Sequence, residues 1–272
     1  MKENQSCRLC GGKTKKRFSL KILNKYDVSY FHCQSCESLQ TENPYWLDDA
    51  YKNNNLSNLD TGVAQRNIHN LSACYLISKL FNIRNIIDIG GGDGLLCRLL
   101  RDYELNCFTK DKYTNPKYAQ GYTKEDFKTP DLVIGFELLE HFSNPSKDLD
   151  ELFRYGARLL LFSTETYENE DKNWWYLSPE SGQHIFFYSK KALHYIAEKY
   201  GYQTITSGSY TLFSRNTRPA TKYLAKILLS SKLCRLAKAW IITRQAKGVW
   251  KDHITQRNTH NNTDHGGQSE IK

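Results

Sequence analysis

The sequence predicts a doubly wound α/β sheet, and alternating strand and helix patterns carry this prediction. Residues 86–89 form a largely apolar run typical of a buried strand, and residues 95–100 have the pattern of a following helix. Residues 131–136 repeat the strand pattern. A short apolar strand at 157–162, a helix at 189–200 and two terminal antiparallel strands continue the alternation, which is typical of this fold class.

The turn between the first strand and its helix is rich in glycine. Gly90, Gly92 and Gly94 have the spacing G-x-G-x-G, and Asp88 lies two residues before the first of them. Glycine allows bare backbone to approach a ligand closely. A dinucleotide site would instead have G-x-G-x-x-G. Asp111 follows Gly90 by 21 residues, where an acid at the tip of a second strand meets ribose hydroxyls.

A third motif follows the strand at 131–136. Glu137, Glu140 and His141 have the pattern E-x-x-E-H. In an open α/β sheet the ligand binds at the carboxyl ends of the strands, so this motif is expected to face the same ligand as the glycine turn.

These three motifs together resemble those of the class I S-adenosylmethionine-dependent methyltransferases, which have a Rossmann-like sheet. The resemblance implies S-adenosylmethionine as the cofactor and places an acid near its adenine amine, for which Asp126 is the candidate; a solvated loop acid is the alternative there. The implied cofactor-binding residues are Asp88, Gly90, Gly92, Gly94, Asp111 and Asp126.

Length and composition restrict the class of protein. The 272 residues suit one medium domain with attachments. No apolar run reaches the roughly 18 residues of a membrane span. The N-terminus has no apolar signal region, so we expect a cytoplasmic protein whose eight cysteines are metal ligands or buried thiols rather than disulfides.

Four of the cysteines have the spacing of metal ligands. Cys7 and Cys10 form one C-x-x-C pair, and Cys33 and Cys36 form a second pair, separated from the first by 22 residues. This pattern predicts a zinc ribbon with a closed, structural four-thiolate site. The expected organisation is a zinc-binding module at 1–45, a linker at 46–60, a cofactor-binding domain at 61–214 and a basic extension at 215–272.

The loop at 173–189 is a candidate acceptor pocket, because it follows a strand's carboxyl end and combines aromatic with polar groups. A loop that caps the core is the alternative. The candidate acceptor-binding residues are Trp174, Trp175, Tyr176 and Gln183.

The cysteine pairs, the cofactor motifs and the segment that contains Gln183 and His184 together show a closer resemblance. In these features the chain is similar to bacterial methyltransferases that carry an N-terminal zinc-binding module and modify sugars. Those enzymes are either deoxysugar C-methyltransferases or O-methyltransferases of surface polysaccharides. The C-methylating branch has His-Glu-His-x-x-Tyr-Phe-Ser; here Gly182 and Gln183 replace its first two residues, and the large C-terminal domain of that branch is not expected. O-methylation of a sugar or glycan is therefore favoured, with C-methylation as the alternative.

A hydroxyl acceptor needs a base for its proton, and histidine suits that role because its usual pKa lies near neutrality. His184 is the first candidate and His141 the second. Glu137 is expected to face the methionine end of the cofactor or the acceptor, and Glu140 to be structural.

The C-terminal extension is strongly basic. Residues 199–251 contain eleven Lys or Arg and no Asp or Glu, which accounts for the whole net charge of +9. Basic residues alternate with Leu, Ile and Trp at 222–250, which predicts peripheral attachment to the inner face of an anionic membrane or to membrane-bound enzymes of glycan assembly. A nucleic-acid patch, an acidic partner protein and a helix packed on its own domain are alternatives. From about residue 256 the chain is expected to be disordered.

Two other functions are weighed against this one. The zinc ribbon and the basic charge allow an RNA methyltransferase, but Phe136, Glu137, Leu138 and Leu139 stand where a base-methylating Asn-Pro-Pro-Tyr motif would lie. Nucleic acid is therefore not the expected partner. A binding protein without catalytic activity is disfavoured because the cofactor motifs are intact.

Overall fold

The structure is a computed structural model that describes residues 5–52 and 60–265. The strands are β1 Thr14–Ile22, β2 Tyr26–Cys33, β3 Leu39–Thr41, β4 Asn85–Ile89, β5 Asn106–Lys110, β6 Leu132–Phe136, β7 Leu159–Ser163, β8 Phe186–Phe187, β9 Gln203–Ser207 and β10 Tyr210–Ser214. The helices are α1 Leu47–Lys52, α2 Val63–Phe81, α3 Leu95–Asp102, α4 Pro145–Phe153, α5 Lys190–Tyr200, α6 Pro219–Leu228, α7 Ser231–Ile242 and α8 Lys247–His265. Two short 3₁₀ turns cover Leu139–His141 and Trp175–Leu177.

The central sheet has six strands in the order β5-β4-β6-β7-β10-β9. The first four are parallel, and β10 lies antiparallel to both β7 and β9. This confirms the predicted α/β fold and its terminal antiparallel strands. Because the parallel strands end at one edge, the glycine turn after β4, Asp111 after β5 and Glu137 after β6 share that carboxyl edge.

Side chains alternate between the two faces of the central sheet, as the pleat requires. Leu132 and Ile134 of β6 belong to the core that packs against α2, α3 and α7. Val133, from the same strand, belongs to the core on the opposite face, with α4, α5 and the cysteine segment. Helices thus cover both faces, which is the doubly wound arrangement.

The helix predicted at 189–200 has the expected caps. The Ser189 side chain accepts a hydrogen bond from the Ala192 backbone N–H, and Gly201 adopts the left-handed conformation at the C-terminus. These caps fix the point at which the preceding loop, with His184, joins the helical layer.

A second sheet joins the N-terminal module to the rest of the protein. Its order is β1-β2-β3-β8, and β3 pairs with β8 from the loop predicted to contact the acceptor. Trp46, in the predicted linker, is buried, and its indole N–H donates to the Gly182 carbonyl at 2.8 Å. The linker therefore packs against the domain over residues 46–52; residues 53–59 lie outside the described residues.

The C-terminal extension is helical and folds back on the domain. Helix α7 packs against α2, while α8 packs against α3 through Asp252, which accepts hydrogen bonds from Arg98 and Arg101. Helix α8 continues through residues 256–265, where the sequence predicts disorder, so that expectation is corrected for this stretch. Among the described residues no helix has the length and hydrophobicity needed to cross a membrane.

Candidate active site

The glycine turn leaves backbone open at the carboxyl edge of the sheet. Gly92 has a φ of +54°, a conformation that other residues rarely adopt, and a Cβ atom there would meet nothing within 4 Å. Gly94, with a φ of +80°, is the N-cap residue of α3, and a Cβ atom there would collide with Pro116 and Ala119. The turn therefore combines an exposed backbone surface with a helix N-terminus, where backbone N–H groups are available.

Asp111 is held beside this turn by backbone hydrogen bonds. Its Oδ2 accepts from the Gly92 N–H at 3.0 Å, and its Oδ1 accepts from the N–H groups of Tyr113 and Thr114 at 2.8 Å each. The two predicted cofactor segments, from β4 and β5, are thus joined directly.

Asp88 lies buried beneath the turn. Burial, with the charge of Asp111, raises the pKa of Asp88 to about 8, and its Oδ2 has no hydrogen-bond partner among the described residues. A Cβ atom on Gly91 would lie 2.5 Å from that oxygen, so only glycine fits above it. An unpaired carboxyl beneath an open backbone turn fits a ligand with donor groups, as S-adenosylmethionine has.

Asp126 does not join this group. Its exposed carboxylate accepts a hydrogen bond from Asn106 Nδ2 at 3.0 Å, and Asn106 begins β5. The amino end of β5 lies at the opposite edge of the sheet from the glycine turn. The predicted role near adenine is therefore wrong, and the solvated loop acid is the correct interpretation.

Glu137 and Ser163 link the ends of β6 and β7. The Glu137 N–H donates to Ser163 Oγ at 3.0 Å, and that hydroxyl donates to Glu137 Oε1 at 2.7 Å. Glu137 has a positive φ of +50°, a strained conformation for a residue with a side chain. This reciprocal pair fixes the carboxylate at the edge of the sheet.

Glu140 is fully buried behind Glu137. Its Oε1 accepts from the Tyr176 hydroxyl at 2.7 Å, while Oε2 has no partner among the described residues. Burial, aided by the charge of Glu137, raises the pKa of Glu140 to about 8.

The rings of His141 and His184 meet edge to face, with their centroids 5.1 Å apart. His184 Nδ1 lies 2.7 Å from the Tyr176 carbonyl oxygen, which can only accept, so Nδ1 carries the hydrogen and Nε2 has a free lone pair. Burial lowers the pKa of His184 to about 4; burial and the neighbouring His184 lower that of His141 to about 3. Both imidazoles are therefore neutral at pH 7, rather than titrating near neutrality as the sequence suggests.

The predicted acceptor residues divide into two groups. Trp174 packs on Tyr176, which is itself buried, and Gln183 is buried with its Nε2 donating to the Ala50 carbonyl at 3.0 Å. Trp175 is 72% exposed. The core-capping alternative thus describes Gln183 and Trp174, whereas Tyr176 joins Glu140 to His184.

Sequence reasoning missed Tyr51 among the residues near this cluster. Its hydroxyl lies 3.5 Å from His141 Nδ1, and its ring stacks on Tyr113 with centroids 5.2 Å apart. No sequence pattern identifies this tyrosine, because it reaches His141 only through the packing of α1 in the folded protein.

The four predicted metal ligands converge. The Sγ atoms of Cys7 and Cys36 are 3.7 Å apart, those of Cys10 and Cys33 are 3.6 Å apart, and all four lie within 4.8 Å of one another. Thiolates at about 2.3 Å around a tetrahedral zinc ion would be roughly 3.8 Å apart. The cluster therefore fits a zinc ion closely.

Arg8 connects the cysteine cluster to both histidine loops, and no sequence pattern predicts this role. Its Nη2 donates to the Ile185 carbonyl at 2.6 Å, and its Nη1 donates to the Ser143 carbonyl at 3.3 Å. Ile185 follows His184, and Ser143 lies two residues after His141. One side chain from the first C-x-x-C pair thus braces the backbone next to each histidine.

The sheet order and the glycine turn are typical of α/β enzymes that bind a nucleoside cofactor at the carboxyl edge of the sheet. A family model described as a methyltransferase domain matches residues 59–207, more than half of the chain. The protein therefore belongs to this methyltransferase-domain family, and it is an S-adenosylmethionine-dependent methyltransferase.

Solved structures of methyltransferases resemble this chain at low sequence identity. The methyltransferase domain of bacterial CtHen1 is 20% identical over 54% of this chain and 97% of that chain, with a TM-score of 0.39. Magnesium protoporphyrin IX methyltransferase from Synechocystis PCC 6803 is 13% identical over 64% and 98%, with a TM-score of 0.43. The 1,6-didemethyltoxoflavin-N1-methyltransferase from Burkholderia thailandensis is 10% identical over 70% and 96%, with a TM-score of 0.47. No curated protein matches the sequence.

The positions of Asp111 and Asp126 at opposite edges of the sheet allow a matched test of cofactor binding. We expect Asp111→Asn to weaken binding of S-adenosylmethionine by about 10-fold to 100-fold, because hydrogen bonds to a charged group are worth about 1.5–3 kcal/mol. Asp126→Asn, at the opposite edge, should bind as the wild type does. Calorimetric titration of both variants checks this, and equal affinities would refute the assignment of Asp111.

Proposed function

We propose that the enzyme methylates a hydroxyl group of a sugar or glycoconjugate during the synthesis of cell-surface polysaccharide, with His184 as general base. The observation that carries this proposal is the free Nε2 of His184, oriented by the Tyr176 carbonyl and close to Glu140 and His141.

In this proposal one group of residues binds the methyl donor, and His184 accepts the proton. Asp88, Gly90, Gly92, Gly94 and Asp111 bind S-adenosylmethionine, which supplies the methyl group as a cationic sulfonium. His184 accepts the hydroxyl proton at Nε2 as the new O–C bond forms, and Tyr176 keeps the ring oriented. Most of the acceleration comes from proximity and orientation, so the rigid hydrogen bonding of the cluster is what this chemistry requires.

The lowered pKa of His184 favours O-methylation over the alternative of deoxysugar C-methylation. A weak base suffices for a hydroxyl proton, which becomes acidic as the O–C bond forms. A proton bound to carbon must be removed before the methyl group arrives, which needs a stronger base than an imidazole with a pKa of about 4.

We expect His184→Gln to lower turnover by about 100-fold to 10,000-fold, the usual contribution of a general base, with little change in cofactor affinity. Because the pKa of His184 is lowered, its neutral form persists above pH 5, and the rate should fall only as the pH drops towards 4. His194→Gln, a histidine on α5 that bonds Thr204, is the matched control.

The assay is transfer of a labelled methyl group to a panel of nucleotide-activated hexoses, with transfer RNA as a second panel. If the His184→Gln variant methylates hexoses as fast as the wild type does, His184 is not the general base, and His141 or Glu137 takes that role. Methylation of RNA alone would replace the proposed function with its alternative.

The cysteine cluster is proposed to hold one structural zinc ion. Four thiolates close its coordination shell and leave no position for a substrate. The ion would stabilise the turn at Cys33–Cys36, where the N–H groups of Ser35 and Cys36 point at Cys33 Sγ at 3.4 and 3.5 Å.

Elemental analysis after treatment with a chelator should find one equivalent of tightly bound zinc, which Cys33→Ser loses. We expect this variant to lose several kcal/mol of unfolding free energy, since structural zinc contributes about 10–16 kcal/mol in isolated zinc-binding peptides. Cys234→Ser alters a buried thiol outside the cluster and should retain the metal. If Cys33→Ser has the same zinc content and the same denaturation midpoint as the wild type, the zinc site at the cysteines is excluded.

The extension is proposed to hold the enzyme on the cytoplasmic face of an anionic membrane. The inner face of α7, including Cys234, Ala237 and Ile241, is buried, so one side of the helix is packed on its own domain. The outer side leaves Leu236 60% and Trp240 50% exposed among basic residues. An exposed apolar row flanked by Lys and Arg is typical of an interfacial helix.

Substitution is a cleaner test of this surface than truncation, because removal of α7 would uncover the core beneath it. We expect Leu236→Ser with Trp240→Ser to reduce flotation with anionic liposomes several-fold, and salt to weaken the wild-type interaction, since each basic residue contributes about 1 kcal/mol at such a surface. Trp175→Ser, with an exposed indole outside the extension, is the control. Equal flotation of the wild type and the double variant would eliminate the membrane role.

A further inference from the structure

We propose that Glu140, His141 and His184 form a binding site for a second divalent cation, distinct from the cysteine cluster. One donor atom from each residue lies within 4.8 Å of the other two. Donors bound to one zinc ion at about 2.0–2.2 Å lie at most about 4 Å apart, so small side-chain rotations close the set.

The unpartnered carboxylate oxygen of Glu140 is an independent observation that points to a ligand. Glu140 has no exposed surface, and its Oε2 has no hydrogen-bond partner among the described residues. Neither Lys nor Arg pairs with this carboxylate in the described part of the chain. Buried carboxylates normally pair with a cation or coordinate a metal.

Tyr176 engages one donor atom of two of the three residues and leaves the other donor atom of each without a bond to it. Its carbonyl accepts from His184 Nδ1, which leaves Nε2 free, and its hydroxyl donates to Glu140 Oε1, which leaves Oε2 free. In metal sites a ligating histidine usually donates its other ring N–H to a carbonyl or carboxylate, and ligating carboxylates are hydrogen-bonded in turn.

The donor set predicts the class of metal. Two imidazoles and one carboxylate suit zinc and neighbouring first-row cations and leave coordination positions open, whereas four thiolates form a closed site. Three protein ligands leave open positions, so an acceptor hydroxyl can bind the cation, which lowers the hydroxyl pKa.

This inference rests on the proposed function for its acceptor and changes the part that His184 plays. With the cation bound, His184 is a ligand, and the hydroxyl proton passes to Glu137, whose carboxylate Ser163 holds at the end of β6. The hydroxyl oxygen gains the methyl group, and the electron pair of the broken S–C bond stays on sulfur.

The test is titration with Co²⁺ of the full-length protein that keeps zinc at its cysteines, after a chelator has removed any metal bound elsewhere, followed by absorption spectroscopy and calorimetry. We expect one Co²⁺ ion per chain without the thiolate charge-transfer band that binding at the cysteines would give. Glu140→Gln keeps an acceptor for the Tyr176 hydroxyl, and we expect it to bind Co²⁺ at least about 100-fold more weakly, as should His184→Gln. His194→Gln should bind as the wild type does.

Two outcomes would overturn the proposal: a wild type that binds no Co²⁺ beyond its zinc, or a Glu140→Gln variant with unchanged affinity. Because the readout is metal binding, it is separate from the proposed function. If the protein methylates a hexose but binds no Co²⁺, the cation site is refuted and His184 remains the proposed base. If the protein binds Co²⁺ but methylates no hydroxyl group, the cation site is retained and the proposed acceptor is refuted.

Discussion

The pairing of β3 with β8 is the interaction on which the candidate site depends. It places Phe186 opposite Gln40, so that the strand next to the cysteines also fixes the loop that carries His184. The Ser189 hydroxyl donates to the Cys36 carbonyl at 2.5 Å and anchors the other end of that loop. The histidine is thus held from both sides by the cysteine segment, and the N-terminal module is part of the active-site wall rather than a separate attachment.

A second constraint is the negative charge at the carboxyl edge of the sheet. Asp88 and Glu140 are buried, each with one oxygen that lacks a partner among the described residues, and burial raises the pKa of both to about 8. Burying an unpaired charge is costly. A cationic ligand at this edge offsets that cost, so its binding favours the ionised carboxylates and becomes tighter as pH rises towards 8. The sulfonium donor carries such a charge.

Local patterns were predictable because their cause lies within a few residues. The glycine turn, the Ser189 and Gly201 caps and the two C-x-x-C pairs follow from conformational preference or ligand spacing. The errors concern the path of the chain in space. The sequence separation of Asp126 from Asp111 does not reveal that the intervening loop returns to the opposite end of β5.

The roles of the residues in the aromatic loop at 173–189 also depend on the path of the chain in space. Tryptophans beside a turn predict a pocket or a core cap equally well, since both bury apolar rings. Only the three-dimensional structure shows that Gln183 donates to the Ala50 carbonyl of α1 and that Tyr176 donates to Glu140. Arg8 has no sequence signal at all, because its partners are backbone carbonyls, which every residue has.

The packing of the extension decides which of its charges reach the surface. Helix α8 must neutralise Arg98 and Arg101 on α3, and Asp252, the acid that ends the basic segment, is buried between them. That carboxylate is therefore absent from the surface. Apolar packing occupies the inner face of α7, and this ion pair ties α8 to α3. From residue 199 to 251 the sequence has eleven Lys or Arg and no Asp or Glu. Basic residues beside an exposed apolar row are typical of helices that bind an anionic surface. The same packing that fixes the helices on the domain thus leaves their outer side suited to a negatively charged partner.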